Sequence, residues 1–302
     1  MTGKYMKKTV TRKAYAKINL GLDVVGVRED GYHLLRMIMQ QIDLFDTLTF
    51  TVVNEQGTGK ISLIDESGLS PAGEDNLICR AIRKMMNRYD LHADVEVQLT
   101  KRIPLAAGLA GGSTDAAAAF RAVRDLLAPQ VSDRELMELG VPLGADIPYC
   151  IAGGTRLSEG IGEILTELPP MPDCAVVLIK PEASASTAQV YRAVDAIGEY
   201  HHPDIDGQIA ALNAGDLPGL ARRCENVLEL VTGAELPLIG SIEKLLMEQG
   251  AMAARMSGSG PTVFGIFENR PDAERAVEAF RCSEIAKGCR CFVCAPVSDV
   301  DR

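Results

Sequence analysis

An α+β protein of two domains is what this sequence predicts, with helices on one face of mainly antiparallel sheet, and three observations carry the prediction. Alternating, β-branched segments such as VEVQLTKRI and CAVVLIKPE are interspersed with segments of helical apolar spacing such as LICRAIRKMMNRYDL and SIEKLLMEQ. At 302 residues, 47% hydrophobic and 24% charged, the chain is long enough for a well-buried core and for two domains. Between a strand and an alanine-rich helix stands PLAAGLAGGSTDAAAA, Pro104 to Ala119, a stretch the rest of the chain is organised around.

The first strand is expected from Val10 to Asp23, with Tyr15, Lys17, Asn19 and Gly21 on one parity. Lys17 sits among apolar neighbours. It is either a surface lysine on an edge strand or an ammonium directed into a site. The polar turn Arg28 to His33 carries a hairpin signal at Asp30-Gly31. Three more strands follow, HLLRMIMQQIDL, DTLTFTVV and GKISLID. Asp75 or Asn76 can cap the next helix, whose Leu77, Ile78, Ala81, Ile82, Met85 and Met86 share a helical face.

The glycine stretch predicts a phosphate cradle. Gly108, Gly111 and Gly112 let backbone approach an anion closely, and the first-turn N–H groups of the following helix point outward at its positive end. Ser113 and Thr114 supply hydroxyls for a helix cap or for a phosphate-bound magnesium, and Lys101 and Arg102 supply positive charge nearby. Neither GxGxxG nor a Gly-Lys-Ser/Thr ending is present, so the dinucleotide and Walker templates do not apply. The competing reading is a flexible connection in front of a core helix.

Downstream, Ser132 to Glu135 forms a capping-box pattern. Asp146 then stands between Pro142 and Pro148 in VPLGADIPY, a turn-forming residue or a held carboxylate. GGTRLSEGIGEILTEL reads as a glycine-rich hairpin with a domain boundary in or just beyond it. Beyond come strand CAVVLIKPE, helices around Val190 and Leu220, helix SIEKLLMEQ, hairpin MAARMSGSGPTVFGIF, helix PDAERAVEAF and strand RCFVCAPV. Met256 to Pro261 is a second glycine turn. Thr187 and Tyr191 are spaced to share one helical face.

Composition excludes several classes. A net charge of −10 and a pI near 5.0 argue against a general nucleic-acid binder. No apolar run reaches the ~18 residues of a membrane span, and MTGKYMKKTVTRK is too polar for a signal peptide, so a soluble cytoplasmic protein is expected. Eight cysteines are too few for a disulfide scaffold. Cys282, Cys289, Cys291 and Cys294 crowd one end, but RCFVCAPV alternates as a strand and sends its cysteines to different faces, so reduced thiols are preferred to a metal site.

The loop's Pro-x-x-x-Gly-Leu-x-Gly-Gly-Ser pattern resembles the ATP loop of the GHMP kinases. AKINLGLDVVGVREDGYH, EDNLICRA, LGADIPY and MSGSGPTVF narrow the resemblance to the branch that phosphorylates 4-diphosphocytidyl-2-C-methyl-D-erythritol in the non-mevalonate isoprenoid pathway. The resemblance covers most of the chain. It implies an N-terminal ribosomal-protein-S5-like ATP domain over residues 1–163 and a C-terminal ferredoxin-like α/β sandwich domain over residues 164–302. It also implies ATP and Mg2+ as cofactors, a small-molecule partner, and a monomer or weak homodimer with neither nucleic acid nor membrane bound.

By the same resemblance Lys17 and Asp146 are catalytic, the carboxylate as base. Asn76, Pro104, Leu105, Ala106, Ala107, Gly108, Leu109, Ala110, Gly111, Gly112, Ser113 and Thr114 hold the nucleotide. Asn19, Tyr32, His33, Asp146, Thr187 and Tyr191 hold the substrate, whose cytosine meets Tyr32 and His33 with Tyr191 stacked opposite Tyr32. Two departures stand out. Ala106, Ala107 and Ala110 occupy positions often held by glycine, although alanine resists positive φ, and Asp115 adds a carboxylate where Asn is frequent. Two rivals remain: a GHMP kinase for another alcohol such as homoserine or mevalonate, and a non-catalytic nucleotide-binding module.

Overall fold

The computed structural model describes residues 7–68, 70–71 and 73–298. Its first sheet is built on two long antiparallel strands, β1 (Lys8–Val27) and β2 (His33–Asn54), paired from end to end. β3 (Ile61–Asp65) lies parallel to β4 (Asp94–Thr100), which pairs with the second half of β2. The first half of β2 pairs with β5 (Thr155–Gly160), and β5 with β6 (Ile164–Glu167). The second sheet is fully antiparallel. It consists of β7 (Ala175–Lys180), β9 (Ala253–Met256), β10 (Val263–Phe267) and β11 (Arg290–Cys294), in the order β11-β7-β10-β9. A two-residue strand, β8 (Glu225–Asn226), leaves this half to run parallel to β1 at Gly21 and Leu22.

Helices α1 (Leu77–Tyr89), α2 (Gly111–Leu127), α3 (Asp133–Gly140) and α4 (Ile147–Ala152) belong with the first sheet. In the second half come α5 (Thr187–Asp195), α6 (Ile205–Ala214), α7 (Leu217–Ala221), α8 (Glu229–Glu235), α9 (Leu238–Glu248) and α10 (Arg270–Arg281). One apolar cluster joins Leu48, Phe50, Val97 and Phe120 to Ile82 and Met85 of α1, and continues to Ile242 of α9 and Phe280 of α10. The other joins Ile18 and Leu20 of β1 to Leu178, Phe264 and Ile266 of the second sheet. The second sheet is therefore covered by helices on one face and by the first sheet on the other. The α+β class stands.

One boundary differs from expectation. HLLRMIMQQIDL and DTLTFTVV are one strand, because no glycine or proline interrupts them. The join is a bulge: the pairing skips from Lys17↔Gln41 to Tyr15↔Phe45, and the C-terminal segment fills the gap with Asp43 N–H donating to Ala295 O at 3.0 Å. The expected division after residue 163 falls inside the β5–β6 hairpin, whose second strand still hydrogen-bonds to the first sheet; the second sheet begins at Ala175.

Local capping signals appear where the residues called for them. Ser132 and Glu135 form the reciprocal box at α3. Asn76 caps α1, its Oδ1 accepting the Ile78 N–H at 2.9 Å while its Nδ2 donates to Pro71 O at 3.0 Å. Asn76→Ala removes both bonds and is expected to cost about 1 kcal/mol of unfolding free energy, measured by urea denaturation.

Candidate active site

A cavity of about 900 Å³ opens where the glycine loop, β1, the start of β2, α4 and α5 converge. Its wall takes in most residues singled out above. Pro104 to Gly108 and Ala110 to Ser113 come from the loop, and Lys17 and Asn19 from β1. Tyr32, His33, Asp146, Thr187 and Tyr191 complete the set. Three expected residues lie behind the wall. Asn76 is occupied as a cap, Leu109 is 1% exposed in the core, and Thr114 is buried within the first turn of α2.

The loop's conformation explains its composition and contradicts one expectation. Ala106 and Ala110 both adopt positive φ, 47° and 56°, as does Gly108 at 73°. Each alanine carries roughly 1–2 kcal/mol of left-handed strain, held because Ala107 and Leu109 are anchored in the core between them. Ala110 is the N-cap of α2 and offers no side-chain acceptor, so the N–H groups of Gly111 to Ser113 remain open towards the cavity. Ala110→Gly is expected to raise stability by roughly 0.5 kcal/mol, since relief of that strain exceeds the glycine entropy cost. A small rise in Tm would register it.

The second glycine turn closes against the first. Gly108 O accepts from Ser257 Oγ at 3.1 Å and from Lys17 Nζ at 3.2 Å. Lys17 is 4% exposed, and its ammonium also donates to Asn19 Oδ1 at 2.6 Å. Asp146 occupies the N-cap of α4, with Pro148 inside the first turn. Among the described residues its carboxylate accepts no hydrogen bond, and no ion pair links it to Lys17. Both groups face the same cavity. Burial, reinforced by the Asp146 charge, pushes the Tyr191 phenol and the Cys150 thiol up, placing that carboxylate near both.

The far end of the cavity is aromatic. Tyr191 stacks on His33, with ring centroids 4.8 Å apart and 28° between planes, and His33 Nε2 lies 2.8 Å from Asp195 Oδ1. Tyr32 lines the same cavity and is 59% exposed. Thr187 Oγ1 and Ser259 Oγ are 2.8 Å apart, tying α5 to the second glycine turn.

Other expectations are revised. Lys101 and Arg102 are absent from the cavity wall; Lys101 is locked between Asp46 and Asp115, and Arg102 stacks over Phe45. Asp115 is likewise buried away from the cavity. A cation that reaches the wall besides Lys17 is Arg192, beside Tyr191, which no motif flagged. Its signal was available, since Arg192 stands four residues after Ala188 on the same helix and so shares a face with it, and both line the cavity. On β11 Cys291 and Cys294 enter different apolar clusters, and no group of three or more His, Cys, Asp or Glu among the described residues is placed to hold a metal. No described helix is long and apolar enough to cross a membrane.

The GHMP kinase N-terminal domain model matches residues 76–154 and the GHMP kinase C-terminal model residues 208–286. The 4-diphosphocytidyl-2-C-methyl-D-erythritol kinase of Lachnospira eligens is 48% identical over 89% of this chain and 92% of its own. The chain belongs to that kinase family. A crystal structure of 4-(cytidine 5'-diphospho)-2C-methyl-D-erythritol kinase superposes with a TM-score of 0.80 at 30% identity, covering 96% of this chain and all of the other. A homoserine kinase from Cytophaga hutchinsonii superposes at 0.77 with 20% identity, covering 99% and 97%, which speaks for the shared fold alone. Family membership makes this chain a small-molecule kinase that uses ATP, and the glycine loop lies inside the matched N-terminal domain.

Proposed function

We propose that this kinase transfers the γ-phosphoryl group of ATP to the 2-hydroxyl of 4-diphosphocytidyl-2-C-methyl-D-erythritol, with Asp146 as base and Lys17 as charge stabiliser. The observation that carries the reading is that one cavity holds an open helix N-terminus, a buried ammonium, a carboxylate free of hydrogen bonds among the described residues, and an aromatic end. Phosphoryl transfer needs positioning and charge neutralisation more than covalent help, and these parts supply both.

The Pro104 to Ser113 loop receives the triphosphate on its open N–H groups. The acceptor hydroxyl oxygen attacks the γ-phosphorus, the bond to the β-phosphate oxygen breaks, ADP leaves, and the hydroxyl proton passes to Asp146. Lys17, held by Asn19 and Gly108 O, faces the transferring group without needing to reorganise. Ser113 engages in no cap and presents a hard oxygen at the cavity wall, so it would help hold a phosphate-bound Mg2+, which neutralises phosphate charge when present. The cytosine is held at the aromatic end by Tyr191, His33 and Tyr32, with Asn19 and Thr187 along the route. A division after residue 163 leaves the glycine loop, Lys17 and Asp146 in the N-terminal domain and brings Thr187 and Tyr191 to the cavity from the C-terminal one.

A coupled ADP-release assay with a panel of acceptors tests this. Turnover is expected with the cytidyl alcohol and not with homoserine or mevalonate. Preference for either of those, or no ADP release with any acceptor, would overturn it.

A further inference from the structure

Lys101 lies behind the cavity. Its side chain is 5% exposed, with Nζ 2.5 Å from Asp46 Oδ2 and 2.8 Å from Asp115 Oδ2. Asp46 is fully buried on β2, and its other oxygen accepts the backbone N–H groups of Arg102 and Ile103, the latter at 2.9 Å. Asp115 sits one turn into α2. Three side chains thus fasten a strand, the entry of the glycine loop and the start of its helix to one buried point. A Cβ on Gly111 would lie 3.5 Å from Lys101 Nζ, which puts the ammonium directly beneath the loop's exit.

We infer that Lys101, gripped by Asp46 and Asp115, is the positioning residue of the phosphate cradle, fixing the loop's entry against its exit into α2. The inference rests on reading the glycine loop as the ATP site. Lys101 touches no reacting atom; it acts through the backbone of Arg102, Ile103 and Gly111.

One ammonium thus faces two buried carboxylates. Lys101 and the backbone N–H groups of Arg102 and Ile103 donate to Asp46, and Lys101 also donates to Asp115 Oδ2, so the clamp has a single cation at its centre.

The test is steady-state kinetics and melting temperature of Lys101→Met and Lys101→Arg beside the wild type, with the alcohol saturating when ATP is varied. Lys101→Met is expected to raise the KM for ATP by about ten-fold or more while the KM for the alcohol stays near the wild-type value, with Lys101→Arg recovering part of the loss. A folded Lys101→Met with unchanged KM for ATP overturns the inference, as does a rise shared equally by both KM values. Should Lys101→Met fail to fold, Lys101→Arg decides: its KM for ATP is expected to rise several-fold, and an unchanged value overturns the inference. A wild type that neither binds nor consumes ATP overturns the cradle and the inference together, whereas an active enzyme whose KM for ATP is indifferent to Lys101 overturns the inference alone.

Discussion

Asp146→Asn is expected to lower kcat by roughly 10²- to 10⁴-fold, the range of a lost general base. ATP affinity and melting temperature should stay near wild type. The carboxylate takes part in no hydrogen bond among the described residues and does not cap α4 through its side chain, so an isosteric amide breaks no packing. Nor does it pair with Lys17, whose ammonium keeps its bonds to Asn19 and Gly108 O in the variant. On the proposed mechanism, what the variant loses is the proton acceptor beside the attacking hydroxyl. Steady-state kinetics together with nucleotide binding by calorimetry separates the two; near-normal kcat would remove Asp146 from the role.

Gly108→Ala should be as damaging for a different reason. The residue sits at φ +73°, and a Cβ there would lie 2.1 Å from Ser257 O, a backbone atom of the opposing turn that cannot rotate away. The two glycine turns would have to part, and Gly108 O would lose its contacts with Lys17 and Ser257 Oγ together. Expected are a stability loss of roughly 3 kcal/mol or more by chemical denaturation and a fall in kcat/KM of about 10²-fold or more. Gly112→Ala is the control. Its Cβ would meet only Leu77 Cδ1, at an ordinary 3.5 Å, inside a helix, so the melting temperature should hold.

What was legible in the sequence was local. The strand, small-residue loop and alanine-rich helix around Pro104 to Ala119 could be read because glycine, helix propensity and periodicity act over a few residues. The caps at Asn76 and Ser132 were readable for the same reason. The motif residues Lys17 and Asp146 were named through resemblance, since neither an isolated lysine nor an Asp between prolines carries chemistry by itself.

What stayed hidden depends on pairing between distant segments. Lys101 looks like free positive charge until Asp46, 55 residues earlier, is brought against it. The His33 ring stacks on Tyr191 only because α5 crosses the start of β2. The merger of two expected strands into β2 follows from a C-terminal segment that fills its bulge from more than 250 residues away, as in the Ala295–Asp43 bond. The left-handed alanines are the same kind of case. Their intrinsic preference is overridden because Ala107 and Leu109 between them are buried in a cluster with Ile18, Leu178 and Phe264, residues far away in the chain.

The central claim is that Lys17 and Asp146 flank the phosphorus that is transferred. A crystal structure of the protein with a non-hydrolysable ATP analogue and 4-diphosphocytidyl-2-C-methyl-D-erythritol tests it most directly. The predicted result is the γ-phosphoryl group at the open end of α2, with Lys17 Nζ on one side and the acceptor hydroxyl hydrogen-bonded to the Asp146 carboxylate on the other. A triphosphate bound away from the glycine loop, or an acceptor hydroxyl out of reach of Asp146, would contradict it.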